Sequence, residues 1–249
     1  MNLIELHQSI DELFDTTAND SYRKESGITV MTNRDIKHIG YCVNLTLKTV
    51  DEAIKNNVDL MITHHDAWDF ISGMKEACKK ELEKHNIGHY YNHLPLDDCK
   101  FGTNEKLSKA LGLEKIQKDY DYEGFYCGRT GDYERPIPFE QLVQKMETIL
   151  DEPVKSWKFN ERPIKKIGIV CGGGDDTGLV KKTYENDCDV YITGEKNLYT
   201  VQYAQFLNMN LIVGSHTFIE LLGVEGLALE IRNKHSGIET VNLIEEHIE

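Results

Sequence analysis

The sequence predicts an α/β protein with mainly parallel sheets. Two observations carry this, and a third locates the functional edge. Strand-like apolar runs alternate with helix-like stretches over most of the 249 residues, the pattern of strands covered by helices. The run VDLMIT (58–63) has no polar alternation, as in a strand buried on both faces. Polar, histidine-bearing clusters then follow several of these strands directly.

The N-terminal stretch MNLIELHQSIDELF puts Leu3, Leu6, Ile10, Leu13 and Phe14 at helical spacing with acids interleaved. It has neither the basic start nor the continuous apolar stretch of a signal peptide. Residues 36–45 read as a strand, 49–56 as a helix and 58–63 as a buried strand. Residues 71–86 have helical composition and 87–92 are again strand-like. A helix is expected over 103–111, with Thr103 as N-cap and Gly112 as its stop. Residues from about 117 to 163 differ: they are rich in Tyr, Asp and Gly and hold four of the five prolines. They read as a domain crossing with one helix, at 139–150. Alternation then resumes with strand 164–171, helix 177–186, strand 188–193, helix 198–207, strand 210–214, helix 217–234 and a last strand near 238–243.

Composition excludes several classes. Apolar content of 40% and charged content of 28% are those of a globular protein. Net charge is −14, from 28 basic and 42 acidic residues, with no run of Lys or Arg. That field repels phosphate backbones, so direct nucleic-acid binding is not expected. The six cysteines are scattered with no CxxC pair, which fits reduced thiols in a cytoplasmic protein rather than a disulfide framework or a Cys-ligated zinc site. No apolar run of 18 residues occurs, so no membrane helix is expected.

In α/β folds ligands gather at the carboxyl ends of strands. Three clusters lie there. Thr63-His64-His65-Asp66 follows VDLMIT. Adjacent side chains of an extended strand point to opposite sides, so using both histidines requires a kink or a pair of metals; a polar turn is the alternative. His93-Leu94-Pro95-Leu96-Asp97-Asp98 follows the strand 87–92. Asp97 is a hard oxygen ligand, a helix cap or a solvated loop acid. His216-Thr217-Phe218-Ile219-Glu220 follows LIVGS; on a helix starting near Thr217, residues four apart share a face, so His216 and Glu220 converge. Together, three imidazoles and two carboxylates suit zinc, iron, manganese or cobalt. Five side chains exceed the needs of one tetrahedral ion and fit two ions about 3.5–4 Å apart with a bridging carboxylate. A fourth strand end adds Glu195, either a partner of a metal-bound group, a base near the metals, or a loop acid. The glycine-rich Cys171–Gly178 stretch matches neither a Walker loop nor GxGxxG, and reads as a tight structural turn.

These residues resemble the YbgI/Nif-three-like family, often labelled GTP cyclohydrolase I type 2. The likeness spans most of the chain, through ITHHDAW (62–68), HLPLDDCKFGTNEKLSKALGL (93–113), YCGRTGDYERPIPFEQL (126–142), DVYITGEKNLYT (189–200) and LIVGSHTFIELLGVEGLALEI (211–231). The resemblance implies two interlinked α/β domains with a dinuclear metal site between them. The expected division is a first domain of residues 1–120 plus 217–249 and an inserted second domain of 121–216. By position the metal ligands fall on His64, His65, Asp97, His216 and Glu220, with Glu220 bridging the ions. A ring-shaped homohexamer is also implied. The chain departs from the family's pattern in three places: NDSYRKESGITV lacks the usual Asp-Asn-x-Gly-Leu segment, Asn44 stands where a strand usually ends in Asp, and Asp66-Ala67-Trp68 replaces Pro and apolar residues after the histidine pair.

The expectation is a protein with two divalent ions per chain, zinc, iron or manganese. It is read as a metal-dependent hydrolase of a purine nucleotide or related small molecule, with His93 or Glu195 moving the proton. The alternative is a non-catalytic metallochaperone, carrier or regulatory interaction protein that uses the same ligands.

Overall fold

The structure is a computed structural model and describes residues 1–14 and 20–248. In chain order its elements are α1 (Leu3–Asp11), α2 (Asp20–Lys24), β1 (Ser26–Val30), β2 (His38–Asn44), α3 (Leu47–Lys55), β3 (Leu60–His65), α4 (Met74–Lys84), β4 (Gly88–Asn92), α5 (Leu94–Asp98) and α6 (Thr103–Leu111). There follow β5 (Glu114–Tyr122), β6 (Phe125–Ile137), α7 (Phe139–Leu150), β7 (Lys155–Trp157), β8 (Ile164–Val170), α8 (Thr177–Glu185), β9 (Val190–Thr193), α9 (Leu198–Phe206), β10 (Asn210–Val213), α10 (His216–Lys234) and β11 (Glu239–Asn242). They form two compact units, Met1–Gly102 with Gly223–Ile248, and Thr103–Leu222.

The first unit holds a five-stranded sheet in the order β1-β4-β3-β2-β11. β11, β2, β3 and β4 run parallel, and β1 pairs antiparallel to β4 at the edge. β3 is central, and every residue of LMITHH is buried, which is why that run carries no polar alternation. Helix starts are written locally: Asn2 and Glu5 form a capping box on α1, as do Thr46 and Thr49 on α3. The sequence expectations at 36–45, 58–63 and 87–92 land on β2, β3 and β4.

β4 also carries a pH signature. His89 is fully buried, with Thr63 Oγ1 2.9 Å from its Nε2. Burial holds the imidazole neutral and pushes its pKa down from 6.5 to about 3. The unfolded chain therefore binds one more proton than the folded one between those values. Stability is full above pH 6.5 and falls with acid, by about 1.4 kcal/mol per pH unit within the window. Urea titrations from pH 7 to 4 should show this slope, and His89→Gln should flatten it.

The second unit holds a six-stranded sheet in the order β5-β6-β8-β9-β10-β7. β8, β9 and β10 are parallel, while β5, β6 and β7 join antiparallel. The reading of 117–163 as a crossing with one helix is corrected here. α7 is where expected, but most of the stretch is a long β5–β6 hairpin. β5 is EKIQKDYDY with one buried position, and β6 is FYCGRTGDYERPI; neither carries an apolar alternation. The turn does leave a trace. Tyr122 pairs with Phe125, so Glu123 and Gly124 form a two-residue loop, both at positive φ, as a type I′ turn requires.

The two compact units divide at 102/103 and 222/223. The reason is packing. Leu107, Leu111 and Leu113 share one apolar core with Leu142, Ile167 and Ile219, so α6 and the first turns of α10 belong with the second sheet. Cys42, Cys78, Cys171 and Cys188 are buried, as expected of core thiols. Among the described residues no helix is long and apolar enough to cross a membrane.

Candidate metal centre

In the first unit, β3 ends on His64 and His65, and β4 leads through His93 into the short helix α5, which carries Asp97. His64, His65 and His93 each offer a nitrogen within 4.8 Å of the other two. The ring centroids of His64 and His65 are 4.8 Å apart, so the two rings lie side by side. Asp97 Oδ1 lies 3.5 Å from His64 Nε2, and both side chains are buried. Asp97 lies inside α5 rather than in a loop or at a helix cap, with His93 at the N-cap position. Asp66 is tied to Lys75 at 2.7 Å.

The imidazoles are held in one tautomer. His64 Nδ1 lies 2.9 Å from the Asn92 carbonyl. A carbonyl only accepts, so Nδ1 carries the proton and Nε2 the lone pair. His65 Nδ1 is 2.7 Å from Asn44 Oδ1, and His93 Nδ1 is 2.7 Å from Glu25 Oε2. The Nδ1 of each of the three histidines thus faces an oxygen acceptor. Trp68 stands edge-on to His93 at 5.0 Å between centroids.

In the second unit, β10 leads through Gly214-Ser215 into α10. Glu152, itself buried, accepts a hydrogen bond from Ser215 N at 2.7 Å, and Ser215 Oγ accepts one from Phe218 N at 3.2 Å, capping the helix. His216 and Glu220 then share a face one turn apart, with Nε2 3.2 Å from Oε2. Glu195 accepts from His216 Nδ1 at 2.6 Å. This bond sets Glu195 beside His216. Burial disfavours the charged imidazolium of His216, but Glu220 and Glu195 together outweigh it and push its pKa up to about 11.

The glycine-rich turn is part of this site, contrary to its reading as a merely structural turn. Gly172 has φ +71°, and a Cβ there would lie 1.9 Å from Glu220 Oε1 and 2.9 Å from His216 Nε2. The backbone of Gly172 is the floor under the acid–imidazole pair. The sequence signal for it is the run Gly172-Gly173-Gly174 directly after an apolar strand.

The donors fit a borderline divalent cation: neutral imidazoles offering Nε2, with buried carboxylates beside them. In the second unit the carboxylates of Glu220 and Glu195 favour positive charge at His216. The glycine floor leaves the space a side chain would fill.

A sequence profile of the Duf34/NIF3 (NGG1p interacting factor 3) family matches residues 1–247. A Pyrococcus horikoshii protein named GTP cyclohydrolase 1 type 2 homolog is 30% identical over 247 residues, covering 97% of each chain. A Haemophilus influenzae protein of the same name is 29% identical over 234 residues, 91% of this chain and 92% of its own. Among solved structures, protein ybgI, described as of unknown function, superposes with a TM-score of 0.86 at 23% identity over 99% of each chain. Reduced HcgD from Methanocaldococcus jannaschii does so with a TM-score of 0.82 at 23% identity over 98% of each. At that identity the structural likeness speaks to fold.

Proposed function

The chain belongs to the Duf34/NIF3 family, and from that premise we propose that His64, His65, Asp97, His216 and Glu220 together bind two divalent ions, zinc, iron or manganese. The protein is then a metal-dependent hydrolase, of the cyclohydrolase kind named in its relatives, acting on a purine nucleotide or a related heterocycle. The observation that supports it best is the shared tautomer. His64, His65, His93 and His216 each set Nδ1 against an oxygen acceptor, the arrangement of metal-ligating histidines.

Bound ions would lower the pKa of a coordinated water towards neutrality and polarise the substrate. The chain's own groups do the rest. Glu25 holds the Nδ1–H of His93 and leaves its Nε2 to take or give a proton. Glu195 fixes the ring of His216. Assembly as a hexameric ring belongs to the same proposal and is read by light scattering.

Elemental analysis of the purified chain tests the premise. About two transition-metal ions per chain are expected, and a His64→Ala/Glu220→Ala chain should hold neither. No metal after reloading with zinc, iron and manganese would refute the centre. Turnover is tested on the metal-loaded protein with GTP. His93→Gln is expected to keep the ions and to lose roughly 100-fold or more in rate, the scale of general acid–base catalysis. Stoichiometric GTP binding without turnover in the wild type would favour the carrier reading.

A further inference from the structure

The C-terminal tail ends in a hydrogen-bond network that reaches His65. β11 stops at Asn242, and Leu243 N donates to Tyr41 O at 2.9 Å. The chain then leaves the sheet, but Glu245 continues the ladder with its side chain. Its carboxylate accepts from Val43 N at 2.6 Å and from Asn44 N at 3.0 Å, the last amides of β2. Its Oε1 also accepts from Asn44 Nδ2 at 3.0 Å.

That last bond fixes which way the Asn44 amide points. An ionised carboxylate only accepts, so the NH2 of Asn44 must face Glu245. The carbonyl oxygen must then face His65, whose Nδ1 is 2.7 Å away. An acceptor at Nδ1 requires Nδ1–H, and so places the lone pair of His65 on Nε2. Had the amide been reversed, its NH2 would require a lone pair at Nδ1 and a proton on Nε2, which cannot then ligate a metal. Asn44 is also the position where this chain departs from the usual Asp. An aspartate fixes the tautomer unaided, because it has no donor side; an asparagine needs a second group to orient it.

We propose that Glu245 is a positioning residue that sets the tautomer of His65 through Asn44, and so makes the C-terminal tail a control element of the metal centre. The inference rests on the metal reading for its consequence, but the tautomer is a property of the metal-free chain.

The test has two readouts. Long-range 15N–1H correlation spectra of 15N-histidine-labelled, metal-free protein report which nitrogen of His65 is protonated, and a chelator competition reports zinc affinity. Wild type is expected to show His65 wholly as Nδ1–H. Glu245→Ala should show a mixture of both tautomers and bind zinc about 10-fold or more weakly, the usual effect of losing such a partner. Asn44→Asp/Glu245→Ala replaces the oriented amide by a carboxylate, which has no donor side to turn toward His65, and should restore both readouts without the tail contact. Thermal unfolding of each variant identifies folded material. If folded Glu245→Ala keeps a single Nδ1–H tautomer, the inference is overturned. It is overturned equally if the double variant folds and shows the reversed tautomer. If wild type binds no zinc, the metal reading fails, and the spectra still decide the role of Glu245.

Discussion

A Gly172→Ala chain is expected to fold and to lose the metal-binding competence of His216 and Glu220, with zinc affinity falling about 100-fold or more. One methyl group does this because of where it lands. It would sit 1.9 Å from Glu220 Oε1, 2.9 Å from Glu220 Cδ and 2.9 Å from His216 Nε2, so something has to move. The backbone cannot retreat. The Gly172 carbonyl accepts from Gly174 N at 2.9 Å, Gly194 N at 3.0 Å and Thr193 Oγ1 at 3.3 Å. Gly194 in turn has no room, since a Cβ on it would meet Gly172 O and His216 Cα at 2.8 Å. The carboxylate is therefore displaced. The left-handed φ of +71° adds about 1–2 kcal/mol of strain for alanine, too little to unfold a domain of this size. Misplacing a ligand costs at least the 10–100-fold seen when only its supporting partner is lost. Gly173→Ala is the matched control, because the nearest atom to its Cβ is His216 Cε1 at 3.9 Å, an ordinary contact. Competition with a chromophoric chelator measures both. Wild-type affinity in Gly172→Ala would remove the glycine turn from the site.

That turn shows where the sequence stopped being legible. Local signals carried far. The unbroken apolar run of β3 announced a strand buried on both faces, and the two histidines at its end announced a cluster of imidazoles. The four-residue spacing of His216 and Glu220 announced their shared helical face. Each of these is written within a few neighbouring residues. What failed was either polar or remote. β5 and β6 fold from charged and glycine-rich segments whose pairing is decided across the hairpin rather than along either strand. The placing of α6 is remote in the same way, since only the three-dimensional core shows that Leu107 and Leu111 share a cluster with Ile167. The link from Glu245 to Asn44 joins residues 201 positions apart, and nothing in either segment points to the other.

Arg129 is the sharpest case of a polar residue whose role only the fold reveals, and its removal should cause the largest loss of stability in the second unit. Its side chain is fully buried in β6, where an alternating pattern would call for an apolar residue. Nε donates to Glu105 Oε2 at 3.0 Å, and Nη1 to the carbonyls of Tyr126 and Gly128 at 3.1 and 2.8 Å. Arg129→Met fills the volume but leaves a carboxylate and two carbonyls without these donors. Breaking one side of a buried pair costs about 3–5 kcal/mol. The lower half of that range is expected, because Glu105 is partly exposed and Lys109 also reaches it at 3.1 Å. For a chain of this length that is a fall in Tm on the order of 10 °C. Arg129→Lys keeps the charge but loses the planar fork, so it should recover only part of the loss. Arg129→Met/Glu105→Gln removes both charges and should recover more than the lysine does, because the cost lies in the uncompensated carboxylate rather than in the missing attraction. Calorimetry of the three chains separates these terms. An unchanged Tm in Arg129→Met would mean that water reaches Glu105 and the carbonyls freely. A double variant no better than the single would place the cost in the two carbonyls instead. These lie on the strand paired with β8, which leads directly into Cys171 and Gly172, so the same substitution should also loosen the glycine floor under Glu220.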